Sequence, residues 1–323
     1  MSKIKFGIVI PQGWRNDLPP TSVTEQFKYS RKIVIAAEKN GFDSAYAYDH
    51  FIPHYRYQTK GNFFECYTLL SALSTFTKRI KLGQIVTCNS YRKPALLAKM
   101  LSTLDVITRG RIELGIGAGW YEEEYNAYGY SYFSNVVRIL QLEESLQIIK
   151  KLWTIEMANF HGKYYSINNA ICFPKPIQKP HPTIMVGGSG EKYLLKVAAK
   201  YADRYNLYFG TPEEMSRKIN ILKDYNTKNR KIEYSIVLPC MLIREREDLK
   251  KITKKLKKEK MTVEQFKKSI AGGLTVGTID DIINGISKYV NIGVSHFIFH
   301  FLILDQNVLK KFSRVMKISK TLR

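Results

Sequence analysis

The sequence of 323 residues predicts a closed TIM-type (β/α)₈ barrel, an α/β fold of parallel strands, on three observations. Apolar β-type runs alternate with longer helical patterns from end to end, which is how parallel β/α architectures read. About eight such runs are present, the number a barrel builds from ~250 residues, which leaves about 70 for inserted loops. The turn after the first run reads Pro11-Gln12-Gly13-Trp14, not the glycine-rich turn with which a doubly wound open sheet usually begins. No second composition regime interrupts the chain. Residues 1–323 are therefore expected to form one domain, with insertions at roughly 119–134, 159–182 and 244–276.

Each element has a local reason. Lys5 to Ile10 is the first strand. Ser22 and Glu25 stand at capping-box spacing for a helix that stops at Asn40-Gly41, where glycine permits a left-handed residue. The second strand, Asp43 to Tyr48, leads into Asp49-His50, and a loop to about Phe64 precedes a helix from Glu65 to Thr77. Ile80 to Thr87 is the third strand. Pro94 opens the next helix, which runs to Ile107, because the N–H it lacks would have had no partner there. Arg111 to Gly117 gives the fourth strand, and an aromatic stretch then leads to a helix from Asn135 to Trp153. Phe160 to Phe173, with His161-Gly162, reads as an inserted hairpin. Thr183 to Val186 and Glu191 to Tyr201 form the fifth strand and helix, and Asp203 to Tyr208 the sixth strand. Thr211, Pro212 and Glu214 fit N-cap, first-turn and third helical positions. Glu233 to Leu242 is the seventh strand. Thr278 to Asp281 caps a helix ending at Asn291-Ile292-Gly293, and Ser295 to Phe301 and Asp305 to Leu322 complete the set.

Composition narrows the partners. Lys and Arg number 51 against 28 Asp and Glu, and the excess gathers between Arg244 and Lys268, where lysines surround a helix on every side. No aromatic residues interleave there to stack on bases, so nucleic acid is not an expected partner. No uncharged apolar run reaches the ~18 residues of a membrane helix, and Met1 to Val9 runs straight into a strand instead of forming a leader, so a cytoplasmic enzyme is expected. Cys66, Cys88, Cys172 and Cys240 lie far apart without a CxxC pair, which favours free thiols over disulfides or zinc.

Function in such a barrel sits where strands end. In Ile184 to Lys192 a strand enters, Gly187, Gly188 and Gly190 let the backbone approach closely, and a helix begins. Unpaired N–H groups at that point suit an anion, normally phosphate, with Ser189 adding a hydroxyl. The other reading is a tight turn that needs glycine for positive φ. Gly115-Ile116-Gly117-Ala118-Gly119-Trp120 lacks the third glycine of a dinucleotide fingerprint. Its small residues leave room for a flat ring against the backbone, or else relieve crowding within the barrel. A histidine such as His50 can donate or accept a proton in catalysis and Asp49 could orient it, although neighbours on a strand face opposite ways. His296 and His300 share one strand face with no ligand carboxylate, so no metal is expected. Glu122-Glu123-Glu124 reads as a solvated helix start, or as one acid touching a cofactor hydroxyl.

Taken in order, these segments resemble the luciferase-like monooxygenase family over nearly the whole chain. Further matching stretches are Phe6 to Pro11, Gly41 to Ser44 before Asp49-His50-Phe51, Leu82 through Thr87, Arg109 through Trp120 with Glu124-Tyr125, Phe173 to Pro176, Ala202-Asp203 and Gly293 to Phe297. The chain looks closest to the branch that uses the deazaflavin coenzyme F420. The resemblance implies a ring system at the C-terminal mouth of the strands, the cofactor phosphate at Gly187, Gly188 and Ser189, and Asp49 and His50 beside the ring. It implies a bulge with a non-prolyl cis peptide near Ile85-Val86 behind the ring, with Thr87, Ala118 and Gly119 in the same bed. His50 is the expected proton-handling residue. Sugar-phosphate dehydrogenases of the branch carry a glutamate where Trp120 stands, so Trp120 is expected to shape an apolar substrate face. The expected activity is hydride transfer between F420 and a small organic substrate. FMNH₂-dependent oxygenation is the alternative, and a non-catalytic flavin- or polyanion-binding protein, motivated by Lys250 to Lys260, is the reading from another class. The resemblance also implies a homodimer.

Overall fold

Parallel pairing closes the sheet on itself. In the computed structural model, which describes residues 3–15, 17–54, 61–243 and 275–322, strand β1 (Lys5–Val9) lies between β2 (Ser44–Ala47) and the last strand, β12 (His296–Phe301). From β2 the order passes to β3 (Lys81–Gln84), whose continuation β4 (Thr87–Cys88) pairs with β5 (Leu114–Gly117). It then runs through β8 (Ile184–Gly187), β9 (Arg204–Tyr208) and β10 (Glu233–Leu242) back to β12. A parallel bridge between Leu82 and Ile112 joins β3 to the stave of β5. This is the expected (β/α)₈ barrel.

Helices α1 (Val23–Lys39), α2 (Cys66–Ser74) and α3 (Pro94–Ile107) follow the first three staves. A short α4 (Glu122–Ala127) and the long α5 (Asn135–Thr154) follow β5, and β6 (Met157–His161) and β7 (Ser166–Ile171) form the expected hairpin. Helices α6 (Leu194–Tyr201), α7 (Pro212–Tyr225), α8 (Ile279–Val290) and α9 (Gln306–Ser319) complete the ring, with β11 (Val276–Gly277) paired to the end of β10. Thr278 and Asp281 make a reciprocal capping box on α8. At α1 the expected box is only half made: Ser22 Oγ accepts the Glu25 amide, but the Glu25 carboxylate is taken by Lys28 at 2.7 Å. The lysine-rich insertion lies outside the described residues over 244–274, and no described helix is long and apolar enough to cross a membrane.

Because side chains alternate along a strand, each stave divides between two cores. Phe6, Ile8, Leu114, Ile116, Val186 and Leu207 pack outward under the helices. Val9, Tyr46, Met185, Val237 and Ile298 fill the interior. The floor is polar: Arg204 Nη1 and Tyr46 Oη both donate to Glu113 Oε2, at 2.8 and 2.6 Å, and Arg204 also binds Glu233 at 2.9 Å. His296 and His300 share the inner face as expected but serve opposite ends, held by Ser44 Oγ at 2.8 Å and Tyr48 Oη at 2.7 Å respectively.

Candidate active site

The C-terminal ends of the strands converge on a cleft of about 600 Å³. The segment after β2 brings Asp49 and His50 to it, and the junction of β3 and β4 brings Ile85, Val86 and Thr87. Ala118, Gly119 and Trp120 arrive from β5, and Gly187, Gly188 and Ser189 from β8. These residues, all expected at the site from the sequence, thus line one cavity. A larger cavity of about 710 Å³ opens at the floor, where Glu113 and Glu233, two of its five carboxylates, are already bound to Arg204. The cleft at the mouth is the better place for chemistry.

His50 is held on two sides. Its Nδ1 meets Glu124 Oε2 at 2.8 Å, the Tyr91 hydroxyl donates to the same oxygen at 2.6 Å, and the Phe51 amide donates to Oε1, also at 2.6 Å. Burial alone would raise the Glu124 carboxyl, but the bonds from His50, the Phe51 amide and Tyr91 hold it below its ordinary range. An ionised carboxylate only accepts, so Nδ1 carries the hydrogen of the neutral ring and Nε2 keeps its lone pair. The indole of Trp14 stacks on the imidazole at 3.8 Å and 9°, and Trp120 meets it edge-on at 5.8 Å. The arrangement can accept and return a proton at one nitrogen of a fixed ring.

Two expectations change here. Asp49 does not orient His50. It faces away, as neighbours on an extended segment do, and takes Arg92 in a two-pronged pair at 2.7 and 2.9 Å together with the Cys88 amide at 2.9 Å. Burial pushes the Asp49 carboxyl up against the pull of Arg92. Nor is the acidic triplet wholly solvated. Glu122 and Glu123 are exposed, but Glu124 is fully buried. The usable signal was the i, i+3, i+4 spacing of Tyr121, Glu124 and Tyr125, which marks one inward helix face.

The glycine turn also differs in detail. Gly188 adopts φ 141°, and a Cβ there would meet Leu194 Cδ2 at 2.5 Å. Its amide is not bare, because it donates to Asn206 O at 3.2 Å. Among the described residues, the amides of Ser189 and Gly190 find no acceptor within the protein. Helix α6 begins at Leu194, not Glu191, since residues 191–193 form a turn closed by Leu195 N donating to Gly190 O. The available donors therefore belong to the turn itself. The Ile85–Val86 peptide is cis and non-prolyl, as the resemblance implied. Gly115 answers to crowding: a Cβ there would strike the Gln84 carbonyl oxygen.

The sequence reading did not single out the far wall. Tyr48 Oη bonds both His300 Nδ1 and Tyr208 Oη, at 2.7 and 3.0 Å, and Arg15 Nη2 donates to Tyr208 Oη at 3.1 Å. Gln12 locks Tyr48 in place through its backbone N and O, at 2.8 and 2.9 Å. These partners lie far apart in the chain, and only their positions at strand ends could have signalled them.

A family model described as luciferase-like monooxygenase matches residues 4–268. The chain belongs to the luciferase-like monooxygenase family. It is 33% identical over 177 residues to an FMNH₂-dependent dimethylsulfone monooxygenase of Pseudomonas putida, covering 55% of this chain and 47% of that protein. It is 31% identical over 174 residues to an F420-dependent glucose-6-phosphate dehydrogenase of Amycolatopsis mediterranei (strain U-32), covering 54% and 50%. The chain thus spans about half the length of the curated relatives it matches. The structure of an F420-dependent secondary alcohol dehydrogenase in complex with an F420–acetone adduct superposes with a TM-score of 0.78 over 97% of this chain and 98% of that one, at 20% identity. The likeness extends the shared fold to the whole barrel. This luciferase-like family contains both F420-dependent and FMNH₂-dependent enzymes.

Proposed function

We propose that this luciferase-like protein is an oxidoreductase that moves a hydride between coenzyme F420 and a small organic substrate. One observation carries the reading: His50, held by Glu124, lines the same cleft as Ser189 and Gly190, whose amides find no acceptor among the described residues. The residues fit the cofactor. Two backbone donors without acceptors suit a phosphate, the glycines beside them keep side chains out of its way, and about 600 Å³ admits a flat ring system.

The amides of Ser189 and Gly190 would hold the phosphate, with Gly187 and Gly188 leaving it room, and Ile85, Val86, Thr87, Ala118 and Gly119 would form the bed of the ring. Asp49, held by Arg92 and accepting the Cys88 amide, would fix the segment that carries Thr87 at the edge of that bed. When bound, the cofactor would supply the redox chemistry, while the protein binds, orients and excludes water. His50 would hold or move the proton at Nε2, and Glu124 would keep Nδ1 protonated. Trp120, 52% exposed at the rim and stacked on Tyr121 at 5.1 Å, would present an apolar face to the substrate. An indole where sugar-phosphate dehydrogenases of the branch carry a carboxylate argues against glucose 6-phosphate.

FMN offers the same turn a single phosphate, and the relative from Pseudomonas putida supports it as the second reading. Equilibrium titration of the purified protein with F420 and with FMN tests the choice. Saturable binding of F420 is expected. Binding of FMN without F420 would replace hydride transfer by flavin-dependent oxygenation.

A further inference from the structure

The two open amides of the glycine turn are not left to chance. Tyr205, fully buried on β9, donates its hydroxyl to Gly188 O at 2.8 Å. Lys218 on α7, whose side chain is 3% exposed, donates its ammonium to Ser189 O at 2.7 Å. These are the carbonyls of the two peptide units whose N–H groups belong to Ser189 and Gly190. Neither peptide is cis. In a planar trans peptide the carbonyl and the following N–H point in opposite directions. Drawing both oxygens back into the protein therefore turns both hydrogens out, toward the cleft that Ser189 and Gly190 line.

We infer that Tyr205 and Lys218 are positioning residues for the cofactor phosphate: neither touches it, and each aims one backbone donor at it. The inference rests on the proposed phosphate-bearing cofactor. The ammonium's part is aim more than charge. Glu191 Oε1 at 3.1 Å and Glu214 Oε1 at 3.6 Å already surround Lys218 Nζ, so the group adds little net positive field at the turn. Both anchors come from the neighbouring β9–α7 unit. The turn therefore keeps its shape before any ligand arrives, which is what lowers the ordering cost of binding.

Paired ligands with and without the phosphate provide the test: FMN against riboflavin, which differ by the phosphate alone, and F420 against its deazaflavin core, which lacks the phosphate together with the glutamyl tail it carries. Dissociation constants are measured for the parent, Tyr205→Phe, Lys218→Met and the double variant Lys218→Met/Glu191→Gln. The parent is expected to favour the phosphorylated member of at least one pair. Each single variant should lose about tenfold of that preference, the scale of one misdirected hydrogen bond to a charged group, with affinity for the phosphate-free member held within about twofold. The double variant should stay as poor as Lys218→Met. Equal weakening toward both members of a pair would make these residues merely structural, and an unchanged preference would remove them from phosphate binding. Recovery in the double variant would assign Lys218 to charge instead of aim. Tyr205→Phe is isosteric and neutral, so it decides the matter even if Lys218→Met does not fold. If the parent shows no preference in either pair, the phosphate reading itself falls, and this inference with it.

Discussion

His50 depends on the carboxylate behind it. With Glu124 ionised, the ring is fixed as the tautomer that leaves Nε2 basic, and Trp14 and Trp120 prevent it from turning. Replacing His50 by Ala is expected to cut turnover by about 100-fold or more, the range of a lost acid–base group, while F420 affinity stays near its parent value. Glu124→Gln is expected to be nearly as slow, because a carboxamide can donate to Nδ1 and stabilise the wrong tautomer. It should also displace the pH profile of turnover, since the negative charge beside the ring is gone. Deazaflavin absorbance under turnover reads both effects, and a Glu124→Gln profile that overlays the parent would leave the carboxylate without a part in proton handling. Of this pair only half was legible in the sequence. A histidine at a strand end announces itself by position. Its partner lies 74 residues away on a six-residue helix, and adjacency pointed instead to Asp49, whose side chain faces the other way.

Elements were easier to read than partners because their causes are local. Pro94 opens α3, Thr211 and Pro212 open α7, Thr278 with Asp281 caps α8, and Gly41 and Gly293 stand at positive φ after α1 and α8. Boundaries set by long-range contacts were harder. Helix α6 starts three residues late because residues 191–193 are held as a turn, and Glu191 there is bound by Lys218. Arg92 is an inter-element tie of this second kind. From the segment between β4 and α3 it binds Asp49 after β2 and Glu65 at the start of α2. Removing it in Arg92→Met would leave Asp49, 1% exposed, without its cation. The expected loss is about 3 kcal/mol, typical of a broken buried pair, against about 1 kcal/mol for the local cap in Thr278→Ala. Urea unfolding of the two variants checks the ranking. A loss in Arg92→Met no larger than that in Thr278→Ala would mean that Asp49 escapes its burial by protonation or by contact with water.

Acid sensitivity belongs to the whole barrel, because its floor and its mouth both rest on depressed acids. Burial opposes ionisation of Glu113, Glu233 and Glu124. Even so, Arg204 holds the first two, and His50 with nearby donors holds the third, below the ordinary 4.5. His296, buried and beside Arg204, is driven well below 6.5 and stays neutral. For all four the unfolded chain takes up protons at a higher pH than the native one. The stability they contribute is present above the ordinary value and is lost as pH falls toward the folded value. Asp17 and Asp49 run the other way. Burial lifts them above 3.8, so the native state binds their protons first and gains on acidification. The depressed groups are more numerous. The melting temperature is therefore expected to hold near neutrality, to decline slowly below about pH 6.5 as His296 begins to count, and to fall more steeply below about pH 4.5. Glu113→Gln separates this account from a general effect of charge. The variant should melt lower at pH 7, since Arg204 loses a buried partner, yet show a shallower acid limb because one depressed carboxylate no longer titrates. Scanning calorimetry from pH 7 to pH 3 measures both, and an acid limb as steep in Glu113→Gln as in the parent would move the sensitivity away from the floor of the barrel.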